Sequence, residues 1–301
     1  MQEPLNPLTP NPSDASNEEA WRVPQWLYLP AVLAVCIFFW RGPINGMSPG
    51  HGGDFDVVSL VTRAWLHGQN PYQYENLRPA YEETKMDTER PADPRWLVAL
   101  YPPSLYPVMA PLALFDRDTG RHIMIALNLV MTMVILWLLP TVAGVQDSAK
   151  WTTLLRIAVL LLAPLWTAIN MGQTALLVAA LLVAGVWCRQ RGYRVAGGVL
   201  LGIATAVKVN VALPFVAYEL CRGRWRVSLV ALAVAATLLF VGVLPLQVNH
   251  PGWFDAMRAN MHALLLDGGF GDPTRLNPTR HHLINLHYAL HGLLLPLSQD
   301  Q

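Results

Sequence analysis

The chain has 301 residues, of which 53% are hydrophobic and only 14% are charged, and its mean hydropathy is positive. This composition is too apolar for an ordinary water-soluble domain and predicts a polytopic membrane protein. The net charge is +1 and no concentrated basic stripe is present, which argues against a nucleic-acid-binding protein. The three cysteines lie in or beside apolar runs, a pattern that favours neither a disulfide framework nor a metal site.

The amino-terminal segment, residues 1–24, is rich in Pro, Asn, Ser and Glu. It cannot bury enough apolar surface to order itself, so we predict a flexible cytoplasmic tail. The segment lacks the basic start of a secretory signal. The apolar run that follows is therefore expected to remain as a transmembrane helix.

The next segment, residues 42–100, is expected to lie outside the membrane and to carry an interfacial helix at 55–66. Phe55, Val58, Val61, Trp65 and Leu66 are predicted to share one helical face, with Asp56, Ser59 and Arg63 pointing away from it.

Two carboxylates, Asp54 and Asp56, stand at the start of this helix. Asp54 precedes the predicted helix by one position, where a carboxylate accepts free backbone N–H groups and caps the helix. The functional alternative is a base or an electrostatic stabiliser at the membrane boundary. Charge alone does not separate the two residues.

Six apolar segments are long enough to be membrane-crossing candidates: 25–41, 122–145, 154–169, 174–188, 195–220 and 227–248. The proline-interrupted segment 101–115 is expected either to cross or only to dip into the bilayer, and residues 75–96 read as a solvated surface segment.

The two most basic connections, 189–194 and 221–226, should lie inside. The segment between them is too short to cross twice, so we predict two half-length helices that meet near Lys208. This arrangement puts residues 170–173 outside, whereas a single crossing by every segment would put them inside.

Lys208 is an ionisable residue at membrane depth, which makes it a candidate functional residue. One interpretation is that its ammonium group reaches back to the interface. The other is that it faces a phosphate or carboxylate partner in a cavity, where interrupted backbone is tolerated.

The distal segment, residues 249–292, holds most of the histidines. His287 and His291 are four residues apart, but no H-E-x-x-H pattern exists and we predict no metal site. Trp253, Phe254 and Arg258 are typical of an interfacial aromatic belt, with a carbohydrate or headgroup surface as the alternative. Phosphate-binding, dinucleotide-binding and nucleophile-elbow motifs are absent from the sequence.

Four blocks of sequence, taken in order, resemble the family 87 glycosyltransferases. They read DFDVVSLVTRAWLHGQNPY, YPPSLYPVMAPLALF, NMGQTALLVAALLVAGVWCRQRG and AGGVLLGIATAVKVNVALPFVAYELCRGRWR. The resemblance runs from about residue 50 to 248 and weakly to 292. Family 87 is an integral-membrane group that includes polyprenol-phosphate-mannose-dependent mannosyltransferases.

The resemblance implies a GT-C-like membrane helix bundle with an extracytoplasmic active site and an inverting transfer. It also implies a polyprenyl-phosphate-linked hexose donor, mannose being the best-known sugar, and a lipid or glycan acceptor. Membrane lipids are the other expected partners, with no nucleic acid, cofactor or metal. The expected location is the bacterial plasma membrane, and the predicted divisions are a tail (1–24), a core (25–248) and a carboxy-terminal loop and helix (249–301).

The family's acidic residue opens a D-F-x-V-Y block, which maps onto Asp54 and implies a general base there. Val58 replaces the usual tyrosine of that block. Lys208 matches the lysine of the family's glycine-rich block, although Val209 and Asn210 replace its common proline.

The remaining substrate-binding candidates lie at the same predicted face. Gln173 and Asn170 are placed to bind sugar hydroxyls, with capping of the 174–188 helix as the alternative, and Asp56 and Tyr101 complete the set. Family members usually run longer, so an inactive truncated homologue is one alternative function. A membrane transporter or flippase is the other, because transporters also use broken half-helices.

Overall fold

The computed structural model describes residues 22–48, 53–83 and 99–265. All regular elements in these ranges are helical, which confirms the predicted all-α class. The helices are α1 (Gln25–Ile44), α2 (Gly53–Leu66), α3 (Tyr74–Glu83), α4 (Leu105–Ala113), α5 (Arg117–Val142), α6 (Ala149–Leu160), α7 (Ala163–Asn170), α8 (Ala175–Gln190), α9 (Arg194–Val207), α10 (Val209–Cys221), α11 (Trp225–Asn249) and α12 (Trp253–Leu265). Most of the predicted tail, residues 84–98, and both His287 and His291 lie outside the described residues.

Three of the described helices, α1, α5 and α11, are long and apolar enough to cross a membrane. The bent pair α6 and α7 makes a fourth span if it is counted as one. These helices lie within a few residues of the predicted segments, because a run of about 20 apolar residues is itself the requirement for a span. A membrane helix bundle is thus confirmed.

Two segments differ from simple spans. The segment predicted at 154–169 is broken by a 50° bend between α6 and α7, where Pro164 stands in the first turn of α7 and cannot donate to the preceding helix. The segment predicted at 101–115 contains only the nine residues of α4. At about 1.5 Å per residue, nine residues reach less than half of the hydrocarbon core.

By its internal contacts the chain divides into two compact units. The first unit comprises Met1–Ser59 and Pro102–Val243, and the second comprises Leu60–Tyr101 and Leu244–Gln301. The first unit contains the start of α2, all of α4 to α10 and most of α11, so it holds most of the residues that the sequence singles out.

Helices α9 and α10 form the predicted pair of half-length helices. They meet at Lys208, whose backbone angles of −148° and 82° are not helical. Arg189 at the end of α8 and Arg224 just before α11 both contact Glu219 at the end of α10, with N–O distances of 3.2 and 3.1 Å. The two basic connections therefore lie at one end of the first unit, and the α9–α10 pair leaves that end and returns to it.

Helix α9 is held closely between α8 and α11 by its glycines. A Cβ atom on Gly197 would lie 2.9 Å from the Gly185 carbonyl oxygen of α8, and one on Gly202 would lie 2.6 Å from the Ala231 carbonyl oxygen of α11. Small residues at such positions let the helix backbones approach each other closely. Close packing of this kind holds helices together in a membrane, because the hydrophobic effect does not drive their association inside lipid.

Helix α2 forms where the sequence predicts a helix, but its predicted polar face is not exposed. Asp56 and Ser59, expected to point away from the apolar side, are each only 6% exposed. Phe55, Val58 and Val61 are buried as well. Because both sides of the helix are covered, its polar side chains need partners inside the protein.

Within the second unit, hydrogen bonds join α12 and the residues just before it to the segment that follows α2. The Asn260 side chain donates to the Tyr72 carbonyl at 3.0 Å, and a ring nitrogen of His250 lies 2.8 Å from the Gly68 carbonyl oxygen. The Tyr72 hydroxyl donates to the Tyr101 carbonyl at 2.7 Å. Trp253, placed by the sequence in an aromatic belt, is 8% exposed, and its ring nitrogen donates to Gln247 at 3.1 Å.

Candidate active site

Asp54 lies inside the first turn of α2 rather than before it. The described helix begins at Gly53, so the predicted capping position one residue ahead of the helix is wrong. The residue is half-buried, and the Gln173 side-chain amide and the Lys208 ammonium group both act on its carboxylate. The first unit thus brings together three of the residues that the sequence selected from three distant segments.

Burial raises the pKa of Asp54, because a carboxylate removed from water is harder to ionise. Hydrogen bonding from Gln173 and the positive charge of Lys208 oppose this effect without cancelling it. The result is a carboxylate with higher proton affinity than a solvent-exposed aspartate. Such a group is better suited to accept a proton near neutral pH.

The turn between α7 and α8 brings Gln173 to Asp54. The Phe55 N–H donates to the Met171 carbonyl at 3.1 Å, which docks the start of α2 on this turn. Gly172 has a φ of +64°, and a Cβ atom there would lie only 2.6 Å from the Phe55 Cβ. A residue with a side chain therefore fits neither the backbone conformation nor the space.

The predicted alternative role of Gln173 and Asn170, capping of the following helix, is not observed. The cap residue of α8 is Thr174, and no side-chain capping bond is made there. The Asn170 Oδ1 atom is buried, and among the described residues it has no hydrogen-bond partner. Both side chains are thus available for roles other than helix capping.

Asn128 on α5 is a site residue that the sequence reasoning missed. It is 0% exposed, and its Nδ2 atom donates to the Gln173 carbonyl at 3.4 Å. Its Oδ1 atom has no partner within the described part of the chain. A single asparagine in an apolar run is the signal that would have found it, since a buried amide needs hydrogen-bond partners.

Lys208 occupies the break between α9 and α10, where its backbone serves both helices. Its N–H donates to the Ala204 carbonyl at 3.0 Å, and its own carbonyl accepts from Val211 and Ala212, both at 3.1 Å. The ammonium group acts electrostatically on Asp54. This favours the interpretation of a carboxylate-facing lysine over one that only reaches the interface.

The Asp56 carboxylate is paired with Arg117, a residue that the sequence analysis did not select. Arg117, at the start of α5, donates from Nε and from an amino nitrogen to the two Asp56 oxygens at 3.1 and 2.8 Å. Burial raises the pKa of Asp56, against the hydrogen bonds and charge of Arg117 and the charge of Arg121. Arg121, one turn along α5, donates to the carbonyls of Gly46 and Ser48.

The remaining candidate, Tyr101, belongs to the second unit, where its carbonyl accepts from the Tyr72 hydroxyl. The described residues contain no group of three or more His, Cys, Asp and Glu side chains placed to hold a metal ion.

A family model described as glycosyltransferase family 87 matches residues 99–295, well over half of the chain. This chain belongs to glycosyltransferase family 87. It is therefore a glycosyltransferase by family, and its apolar helices make it a membrane protein. No curated protein and no solved structure shows significant similarity to the chain.

The match covers three of the four blocks on which the family 87 resemblance rests, including those that contain Gln173 and Lys208. It begins at residue 99, so the first block and Asp54 lie ahead of it. What connects Asp54 to the matched part is the geometry of the first unit.

Proposed function

We propose that this family 87 protein transfers a hexose, with mannose as the first sugar to test, from a polyprenyl-phosphate-linked donor to a hydroxyl group. The acceptor is a lipid or a glycan, and Asp54 is the general base. The observation that carries the proposal is the grouping of the half-buried Asp54 carboxylate with Gln173 and Lys208 inside one unit.

The proposed step is an inverting displacement at the anomeric carbon. Asp54 accepts the proton of the acceptor hydroxyl as its oxygen forms a bond to that carbon. The bond from carbon to the donor phosphate oxygen breaks on the opposite face, and polyprenyl phosphate leaves with the electron pair. The raised pKa of Asp54 supports the proton transfer, because a base works best when its pKa lies near the working pH.

Lys208 is proposed to stabilise the leaving phosphate. Lys208 stands at a helix break and its charge acts on Asp54, so a bound donor would bring its phosphate toward a positive charge. Positive groups fixed in place before the reaction stabilise the charge that develops as the bond breaks. A lysine is suited to phosphate as a compact point charge.

Asn170 and Gln173 are proposed to hold sugar hydroxyls. The buried Asn170 oxygen has no described protein partner, and an acceptor of this kind is stabilised by a hydroxyl donor. We assign Asp56 to positioning rather than to the substrate, because Arg117 already donates to both of its oxygens.

The orientation follows from the distribution of charge. The arginine-rich connections lie at the end of α8 that is opposite to the Gln173 turn, since α8 runs between them. Basic connections prefer the cytoplasmic side. An extracytoplasmic active site in a plasma membrane is the arrangement that this favours.

The test is transfer from polyprenyl-phosphate mannose in membranes that contain the full chain. Asp54→Asn should abolish transfer while the protein inserts normally, and Asp118→Asn should keep it, because Asp118 is an exposed carboxylate whose side chain is 75% accessible. Full activity of Asp54→Asn would remove Asp54 from the role of base. Glucose and galactose donors in the same assay test the choice of sugar.

A second candidate function is transport or flipping of a lipid-linked or small solute. The observation in its favour is the broken helix pair at Lys208, a device that transporters use to bind charged substrates. Reconstitution in vesicles separates the two functions. Movement of labelled donor across the bilayer without sugar transfer would support the transporter.

A further inference from the structure

The end of the first unit opposite Asp54 carries an exposed cluster of arginines. The cluster consists of Arg191 in the turn after α8, Arg194 at the start of α9, Arg222 directly after α10 and Arg226 in the first turn of α11. We propose that this arginine cluster is a binding surface for anionic phospholipid headgroups.

One buried carboxylate draws the two connections together. Glu219 is 2% exposed and contacts Arg189 at 3.2 Å and Arg224 at 3.1 Å. Each of these arginines comes from a different connection, so the shared carboxylate fixes the distance between them. The negative charge of Glu219 therefore compensates the positive charges of Arg189 and Arg224. The four arginines of the cluster remain exposed.

The surface beside the cluster is apolar and exposed, as expected for a surface that meets lipid tails. Val195 on α9 is 67% exposed, Leu220 on α10 is 51% exposed, and Leu229 on α11 is 54% exposed. Each of them lies within three residues of an arginine of the cluster along the chain. The cluster therefore stands where exposed apolar helix surface ends, which is the depth of the lipid phosphates.

Aromatic rings at the same level support the assignment. Tyr193 and Trp225 are 61% and 53% exposed, and such amphipathic rings favour the headgroup region. The Arg226 guanidinium lies 5.2 Å from the Trp225 ring centre, and that of Arg191 lies 5.4 Å from the Trp187 ring centre. A guanidinium stacked on a ring keeps its N–H groups available for phosphate oxygens.

The proposal commits to lipid rather than to a soluble anion or an acidic protein. A soluble partner would not require the adjoining surface of α9, α10 and α11 to be apolar. An anionic bilayer surface attracts each nearby Lys or Arg enough to change binding by about fivefold. Four arginines in one cluster make a surface that discriminates strongly between anionic and zwitterionic lipids.

The experiment reconstitutes the full chain in nanodiscs made of equal amounts of phosphatidylglycerol and phosphatidylcholine. After extraction in detergent, the lipid that stays with the protein is measured by mass spectrometry. Wild-type protein should retain phosphatidylglycerol in excess of phosphatidylcholine. The variants Arg191→Gln/Arg194→Gln and Arg222→Gln/Arg226→Gln should each lose this enrichment, by up to about fivefold for each arginine.

The control is Arg78→Gln, which removes an exposed arginine of the second unit that pairs with Glu82, and it should keep the wild-type enrichment. Retention of the two lipids in the supplied proportion by the wild type would overturn the proposal, as would equal losses in the control. Displacement of phosphatidylglycerol by excess inorganic phosphate would assign the cluster to free phosphate instead.

A salt series on the wild type keeps the test decisive if an arginine variant fails to insert. Enrichment that depends on exposed charge must fall as added salt shortens the screening length. Enrichment that does not change with salt would contradict the proposal. All of these measurements are independent of sugar transfer.

Discussion

Asp56 and Arg117 form a two-bond ion pair that joins the first turn of α2 to the first turn of α5. Asp54 stands only two residues earlier, yet it faces Gln173 and Lys208. Residues two apart in a helix point to different sides. One turn of helix therefore carries a carboxylate held by an arginine and a second carboxylate left for chemistry.

The first prediction concerns this ion pair. Asp56→Ala should destabilise the protein by about 1–3 kcal/mol, because it removes the two carboxylate oxygens to which the half-buried Arg117 guanidinium donates. Arg117→Ala should cost a similar amount, and the double variant less than the sum of the two. Thermal unfolding of the detergent-purified protein, followed by tryptophan fluorescence, measures all three. If the double variant lost as much stability as the two single variants together, the two side chains would have no coupling energy.

The second prediction concerns the pH dependence of sugar transfer. Only the ionised Asp54 can accept a proton, so the rate should fall as the pH falls through its apparent pKa, which burial places above the ordinary aspartate value. Lys208 lowers this pKa, so Lys208→Gln should move the acidic limb of the rate profile to higher pH.

The control for this measurement is Lys150→Gln, which removes a lysine that stands over the Trp151 ring at the start of α6. Its profile should match that of the wild type. An acidic limb that stays in place in Lys208→Gln would show that Lys208 does not act on the base.

The third prediction concerns the turn that presents Gln173. Gly172→Ala should cost about 1–2 kcal/mol for the left-handed backbone and about 1–3 kcal/mol more for the contact with Phe55. Gly192→Ala provides the control, because Gly192 has a φ of +86° with nothing within 4 Å of an added Cβ. Only Gly172→Ala should also reduce transfer. Equal losses of stability in the two variants would show that Phe55 makes room.

The fourth prediction concerns the buried carboxylate under the arginine cluster. Glu219→Gln leaves Arg189 and Arg224 without their shared counter-charge, and we expect a loss of about 3–5 kcal/mol. Asp255→Asn, at an exposed carboxylate on α12, should change stability by less than about 0.5 kcal/mol. Thermal unfolding compares the two variants. A similar midpoint for both would mean that Glu219 does not bind the two connections together.

The sequence predicts the helices well where length and hydropathy decide them. Helix α11 lies at Trp225–Asn249 against a predicted 227–248, and the break at Lys208 is found where a lysine and an asparagine interrupt the apolar run. The bend between α6 and α7 is not predicted, because the apolar run continues across it. Its cause is local, since a proline follows the last turn of α6.

The residues of the candidate site were likewise predicted only in part. The sequence analysis selects Asp54, Gln173 and Lys208, which are more than 30 positions apart along the chain. It does not find Arg117, Arg121 or Asn128 on α5. The two arginines stand in the polar first turns of this helix, where no local pattern marks them, and only Asn128 gives a local signal, as a lone amide in an apolar run. Their importance depends on which side chains meet them after folding, and no spacing along a single helix contains that information.

By itself, the sequence determines that this is a helical membrane protein, where its long apolar helices lie and at which residue the half-length pair breaks. Only the tertiary structure decides that Asp56 is held by Arg117 while Asp54 faces Lys208. The physical reason is that hydropathy is a property of each segment, whereas the partner of a buried charge is set by contacts between segments distant along the chain.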